Sequence, residues 1–222
     1  HLLSSDERYG LQKCSVTVGY QLSYPDETIA QLSPQECTKL KREGLYICMI
    51  KNPNPVAKNV TPQLSDAAFI REKVPMTKEE IRHVSICKLH LKSDSVLYDV
   101  GSGTGSIAVE AASLSDDMEV YAIEQKENAV QLITQNKEKH GLENIHVINA
   151  KAPDGMDNLP VPTHAFIGGS GGNLKEIIEA LKAKNPHIRI VINAISMETI
   201  CEIKEILSAY DVKNEDIVQL QV

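Results

Sequence analysis

Residues 98–105 read Tyr-Asp-Val-Gly-Ser-Gly-Thr-Gly, and they decide the fold. The β-type run Ser95-Val-Leu-Tyr-Asp-Val100 enters a glycine turn. The helical pattern Ser106-Ile-Ala-Val-Glu-Ala-Ala-Ser-Leu114 leaves it. Strand, glycine turn and helix form the first unit of a nucleotide-type α/β fold. Outward from this unit the alternation continues. The patterns predict helix 78–92, strand 95–100, helix 104–114, strand 118–123 and helix 126–140, which Gly141 stops. Strands 144–149 and 163–168, helix 173–184, strand 187–193, helix 196–210 and strand 214–222 follow. Such alternation implies parallel pairing, right-handed crossovers and a ligand cleft at the carboxyl ends of a doubly wound sheet. Thr77-Lys-Glu-Glu80, Asn173-Leu-Lys-Glu176 and Ser33-Pro-Gln-Glu36 read as capping boxes.

Residues 1–50 break the repeat. Cys14–Val18 and Leu45–Ile50 are strand-like around a short helix 34–43, and Lys51-Asn-Pro-Asn-Pro55 opens a linker over 51–60. The expected organisation is a fragment of another α/β domain at 1–50, the linker, and the main domain at 61–222. A start at His1 rather than Met fits a piece of something longer.

The 222 residues carry a net charge of −7 and no Trp. That disfavours nucleic-acid binding, which needs a basic face and stacking aromatics. No apolar run approaches the ~20 residues of a membrane span. Five scattered cysteines without a C-x-x-C pair suit a reducing cytoplasm.

The glycine spacing separates two cofactors. Gly101, Gly103 and Gly105 give G-x-G-x-G, whereas a dinucleotide fingerprint needs glycine at position 106, where Ser106 stands. Asp99 before the loop can meet a positively charged group. S-adenosylmethionine carries an ammonium and a sulfonium and no pyrophosphate, so the loop, with Ser102 and Thr104, reads as a site for it. Glu124 ends the next strand, where a carboxylate can accept ribose hydroxyls. The turn Asn149-Ala-Lys-Ala-Pro153 offers small residues, Ala152 among them, beside which an adenine ring can lie. The run Gly168-Gly-Ser-Gly-Gly172 opens onto a helix start and suits a carboxylate or phosphate. Its five residues, Gly168, Gly169, Ser170, Gly171 and Gly172, are the candidate substrate grip. Each feature also has a plain structural reading as a turn, cap or solvated charge. His83, Cys87 and His90 share a helix face, but apolar neighbours make it a packing face, and no metal is expected.

Together, Val74-Pro-Met-Thr-Lys-Glu-Glu-Ile-Arg82, Asp99-Val-Gly-Ser-Gly-Thr-Gly105, Tyr121-Ala-Ile-Glu124, Ala152-Pro153 and Ile167-Gly-Gly-Ser-Gly-Gly172 resemble the decarboxylating precorrin C-15 methyltransferases of vitamin B12 synthesis. The resemblance covers about residues 60–222. It implies a class I, Rossmann-like S-adenosylmethionine-dependent methyltransferase that methylates C-15 of a precorrin or cobalt-precorrin and decarboxylates its ring-C acetate. Thr77, Gly101 to Gly105, Glu124 and Ala152 match the family's cofactor positions. Lys151 departs from the aspartate usual there, and the closing strand of the family is absent. A dimer or tetramer is implied by resemblance only. Leu22-Ser-Tyr-Pro-Asp-Glu27 resembles the tail of the precorrin C-5 methyltransferase, which is fused to the C-15 enzyme in some bacteria.

Methyl transfer is an in-line displacement governed by positioning. The acceptor carbon is electron-rich, and no general base or other catalytic residue is legible. Arg71, Lys73, Lys78 and Arg82 are candidate cations at the cleft rim. The rival readings are a methyltransferase for RNA or another small molecule, an NAD-dependent dehydrogenase, and a non-catalytic S-adenosylmethionine-binding remnant. An RNA enzyme often places an Asn/Asp-Pro-Pro-Tyr-type motif where Ile-Gly-Gly-Ser-Gly-Gly stands here.

Overall fold

The computed structural model describes residues 13–41, 43–53 and 61–222. The chain divides into two compact units that part at Lys58 and Asn59.

The second unit is built on five strands, β4 (Val96–Val100), β5 (Glu119–Glu124), β6 (Ile145–Asn149), β7 (His164–Ile167) and β8 (Arg189–Ile192). They pair in the order β6-β5-β4-β7-β8, and every pairing is parallel. The chain winds outward from β4 in one direction and then restarts at β7 on its other side. The switch point of this doubly wound sheet therefore lies between β4 and β7. Helices α2 (Glu79–Leu89), α3 (Ser106–Ala112), α4 (Glu127–Lys139), α5 (Leu174–Lys184) and α6 (Met197–Leu207) complete the unit.

Strand periodicity divides the core. Leu97, Val120, Ala122 and Phe166 pack on one face with Ile86, Leu89, Ile107 and Ile133 from α2, α3 and α4. Tyr98, Val100, Ala165 and Ile167 pack on the other with Leu174, Ile177, Leu181 and Ile206 from α5 and α6. Successive side chains of a strand point to opposite faces, so a strand covered on both faces reads as a nearly unbroken apolar run.

Residues 61–78 form a strap with one short 3-10 turn, Asp66–Ala68, and buried polar groups hold it. Arg82 has no exposed surface; its guanidinium contacts Glu110 Oε2 at 3.1 Å and Asp66 Oδ1 at 3.0 Å. It also donates to the carbonyls of Thr77 and Leu64 and lies 4.6 Å from the Phe69 ring centroid. Glu110 Oε1 accepts from the amides of Gln63 (2.7 Å) and Leu64 (3.2 Å). The expectation of Arg82 as a rim cation is thereby corrected: its four hydrogen bonds tie the strap to α2 and α3. Arg71, Lys73 and Lys78 are exposed.

The first unit holds β1 (Ser15–Tyr20), β2 (Thr28–Leu32), α1 (Pro34–Cys37) and β3 (Tyr46–Lys51), an antiparallel sheet in the order β2-β1-β3. The sequence reading did not foresee β2, whose residues are mostly exposed and lack an apolar alternation. The helix expected over 34–43 ends at Cys37, and the chain turns at Thr38 and Lys39. The first twelve residues, position 42 and most of the expected linker, 54–60, lie outside the described residues.

Of the three capping boxes, only Ser33 with Glu36 forms, with Pro34 in the first turn. Helix α2 begins after Lys78, one residue later than a Thr77 cap requires, and has no side-chain cap; the Thr77 carbonyl accepts from Arg82. Asn173 precedes α5, but its side-chain amide donates to the Ala152 carbonyl instead of capping. The strand expected at 214–222 is also corrected. Val218, Leu220 and Val222 alternate with polar residues, yet this exposed segment has no ladder partner, and β8 remains the sheet edge. Alternation gives propensity; a strand needs a neighbour.

Replacing Arg82 by Met would strand the buried Glu110 carboxylate. A loss of about 3–5 kcal/mol is expected, read from the midpoint of urea unfolding. Glu110→Gln keeps an acceptor for the strap amides and should lose less. A loss below ~1 kcal/mol in Arg82→Met would show that this cluster does not anchor the unit.

Candidate functional site

Two glycine loops meet where the winding reverses. The first leaves β4. Gly101, Gly103 and Gly105 have φ of +71°, +59° and +79°, a region that favours glycine. The amides of Gly101 and Ser102 donate to the Ile123 carbonyl of β5, and Gly105 N–H closes a turn onto Ser102 O. A Cβ on Gly101 would come within 2.3 Å of the Gly169 carbonyl oxygen in the second loop. The two backbones touch there, and no side chain fits between them.

Beneath the first loop, Asp99 has no solvent exposure. Its Oδ2 accepts from Ser102 Oγ at 2.6 Å. Burial pushes its pKa up to about 7, opposed by the Ser102 hydroxyl and the nearby Ala108 amide; the Glu124 carboxylate adds to the rise. Asp99 Oδ1 and Thr104 Oγ1 are buried without a hydrogen-bond partner. Asp99 therefore braces the loop from below.

Glu124 ends β5, next to the first loop. The parallel register sets Val100 against Ile123 and brings the two strand ends level. Glu124 Oε2 accepts from Gly103 N–H at 3.0 Å and Oε1 from Lys126 N–H at 2.9 Å. Each carboxylate oxygen keeps a further lone pair. The group is thus oriented by backbone donors while it can still accept hydroxyls.

The turn after β6 is drawn into the same cluster. Asn149 Nδ2 donates to the Glu124 carbonyl at 3.1 Å, and so does the Ala150 amide. Ala152 is buried, precedes a cis bond to Pro153 and is tied by its carbonyl to Asn173 at 3.0 Å.

The second glycine loop departs in part from its expected role. The amides of Gly168 and Gly169 donate to the Val100 carbonyl, at 2.9 and 3.4 Å, and end the β4–β7 ladder. The Gly168 amide is engaged by the fold and is not available to grip an anion, which corrects that expectation for one of the five residues; Gly169, at 3.4 Å, is only weakly held. Ser170, Gly171 and Gly172 extend beyond the ladder, the two glycines with φ of +59° and +86°. The Gln125 side-chain amide and the Lys151 stem converge over Gly171, 3.3 and 3.5 Å from where its Cβ would sit. Lys151 is exposed and forms no ion pair among the described residues. Thr77 lies on the strap, half-buried, two residues after Pro75, whose carbonyl is 3.1 Å from the position a Gly103 Cβ would take.

Sequence reasoning missed Gln125 and Asn136. Asn136 had a signal: it falls on the apolar stripe Ala129, Leu132, Ile133 of α4, where a polar residue needs an internal partner. Gln125 had none. Of the His83, Cys87 and His90 group, His83 Nε2 lies 3.2 Å from the Leu64 carbonyl and 3.6 Å from Glu110, and Cys87 is exposed. No group of three or more ligating side chains occurs among the described residues. No described helix is long and apolar enough to cross a membrane.

The comparisons with known proteins agree with this geometry. A family model described as the precorrin methyltransferase domain matches residues 67–222. A cobalt-precorrin-6B C(15)-methyltransferase (decarboxylating) from Salmonella typhimurium is 36% identical over 161 residues, covering 72% of this chain and 83% of that protein. Among solved structures, a precorrin-6Y C5,15-methyltransferase from Geobacter metallireducens is 35% identical with a TM-score of 0.64, covering 69% of this chain and 82% of that one. The precorrin 8W decarboxylase of Methanobacterium thermoautotrophicum is 34% identical with a TM-score of 0.62, covering 66% and 80%. A sheet ordered β6-β5-β4-β7-β8, two glycine loops at its switch point and a match across most of the chain place this protein in the precorrin methyltransferase domain family.

Proposed function

We propose that residues 61–222 form an S-adenosylmethionine-dependent methyltransferase that methylates C-15 of a precorrin or cobalt-precorrin and decarboxylates its ring-C acetate. The observation that carries the reading is Glu124, held by Gly103 N–H at the end of β5 beside a G-x-G-x-G loop. The residues present suit the adenosyl cofactor. Glu124 has lone pairs for the ribose hydroxyls, and the glycine loop admits close approach. The Ala152 turn leaves room for a flat ring, and the strap brings Thr77 toward the methionine end. When bound, S-adenosylmethionine supplies an electrophilic methyl group. Asp99 acts from below, by fixing Ser102 and hence the shape of the loop.

The protein's part in the chemistry is positioning. Ser170, Gly171, Gly172, Gln125 and Lys151 are proposed to hold the acetate carboxylate of the substrate. When its C–C bond breaks, the electron pair passes into the conjugated macrocycle and is later protonated, so the chain need not supply a strong base. A charged contact from Lys151 both orients the acetate and favours a polycarboxylate over a neutral acceptor. We propose further that the first unit is the tail of a C-5 methyltransferase domain, on its likeness at Leu22–Glu27. The name of the Geobacter protein, a C5,15-methyltransferase, pairs the two activities and is in keeping with this. A place in the cytoplasm and assembly as a dimer or tetramer belong to the same proposal.

Calorimetric titration tests the cofactor. S-adenosylhomocysteine should bind where NAD does not, and Glu124→Ala should weaken it by ~1.5–3 kcal/mol, roughly 10- to 150-fold. Binding of NAD alone would overturn the reading. For the substrate side, Lys151→Glu should raise KM for the tetrapyrrole about tenfold or more, with S-adenosylhomocysteine affinity unchanged; an unchanged KM would remove Lys151 from the grip.

Asp99 also predicts a pH dependence. Its folded value of about 7 lies above the ordinary 3.8, so the folded state retains a proton that the unfolded chain releases. That contribution is complete below the ordinary value, declines as pH rises and is gone above the folded value. Relative to Asp99→Asn, the native chain should therefore lose stability between pH 3.8 and 7, by about 4 kcal/mol at most. Parallel melting curves for the two proteins across that interval would show that Asp99 does not carry the proton.

A further inference from the structure

Asn136 connects two parts of the molecule that are far apart in sequence. It has no exposed surface and sits on the inward face of α4. Its Oδ1 accepts from the Ile70 amide at 2.7 Å. Its Nδ2 donates to the Ile70 carbonyl at 2.8 Å and to the Thr104 carbonyl at 2.9 Å. One side-chain amide thus satisfies both backbone groups of a strap residue and one carbonyl of the glycine loop. The neighbouring turns of α4 work on the same two partners. Ile133 packs within 3.1 Å of where a Gly105 Cβ would lie, and His140 Nε2 lies 3.1 Å from the Ala68 carbonyl of the strap. Burial lowers the His140 pKa, so a neutral ring donates there.

Arg82 and Glu110 hold the strap to α2 and α3, while Asn136 also reaches the loop. Beyond Ile70 the strap runs to Pro75, which overlies Gly103. We propose that Asn136 is a positioning residue that couples the strap to the glycine loop and so sets the affinity of the cofactor site without touching the cofactor. This rests on the reading of the loop as an adenosyl site. The chemistry of the amide defines the coupling. Removing it leaves Ile70 N–H, Ile70 C=O and Thr104 C=O without that partner inside the protein. Asn136→Asp keeps the acceptor for Ile70 N–H but turns an acceptor toward two carbonyls.

The test compares Asn136→Leu and Asn136→Asp with Leu181→Ala, a core substitution on the opposite face of the sheet. Each variant is titrated with S-adenosylhomocysteine well below its melting temperature. Amide hydrogen exchange is followed over residues 66–72 and 101–105. Both Asn136 variants should raise Kd about tenfold or more and speed exchange in the two segments together. Leu181→Ala should lower the melting temperature and leave Kd and the 101–105 amides as they were. A lower melting temperature for Asn136→Leu with Kd within about twofold, and faster exchange in 66–72 only, would overturn the coupling and leave Asn136 a structural residue. Should the native chain bind no S-adenosylhomocysteine, the adenosyl reading fails with it. The exchange pattern at 101–105 then decides the coupling by itself.

Discussion

The contact between Gly101 and the Gly169 carbonyl is the constraint on which the site depends. At the switch point of a doubly wound sheet the chain must leave two adjacent parallel strands in diverging directions. Here the loops do not diverge at once. Gly168 and Gly169 return their amides to the Val100 carbonyl, and Gly101 abuts them with no room for a Cβ. The two loops form one floor. Glu124 is anchored to this floor by Gly103 N–H, and Asn149 anchors the third loop to Glu124 in turn. A residue larger than glycine at position 101 would push the second loop away and shift every group fastened to the first.

Much of this was legible in the sequence because of how parallel sheets are buried. Strands covered on both faces show as continuous apolar runs, and β4 to β8 fall within one or two residues of their expected bounds. The glycine loop and the place of Glu124 at the end of β5 were legible for a related reason: a strand–turn–helix unit puts glycine and the strand end at fixed offsets. The errors share a different cause. Thr77 and Asn173 have the right spacing for caps, yet α2 starts one residue too late for Thr77 and the Asn173 side chain turns to the Ala152 carbonyl. Segment 214–222 has strand propensity without a neighbour to pair with. Gly168 looks like a free anion donor until the ladder that uses it is known.

Arg82 shows the same limit from the other side. A cationic residue in the first turn of a helix, near a cleft, suggests ligand contact. Complete burial against Glu110, Asp66 and Phe69 makes it an interior strut, which only the path of the strap discloses. Lys151 and Gln125 are the reverse case. Neither stood out as a site residue in the sequence, and both acquire meaning from their convergence over Gly171.

The strap is held largely through its own main chain, with Asp66 and Phe69 adding side-chain contacts to Arg82. Gln63, Leu64, Asp66, Ala68, Ile70 and Thr77 offer backbone amides or carbonyls, and the side chains that meet them belong to Glu110, Arg82, Glu79, His140 and Asn136. The route of one stretch of chain is thus written largely in another. Most of the strap's letters are free to drift among descendants of this protein, Asp66 and Phe69 excepted, while the few that read it are not. A foreign segment of equal length that kept those two residues would be led along the same path.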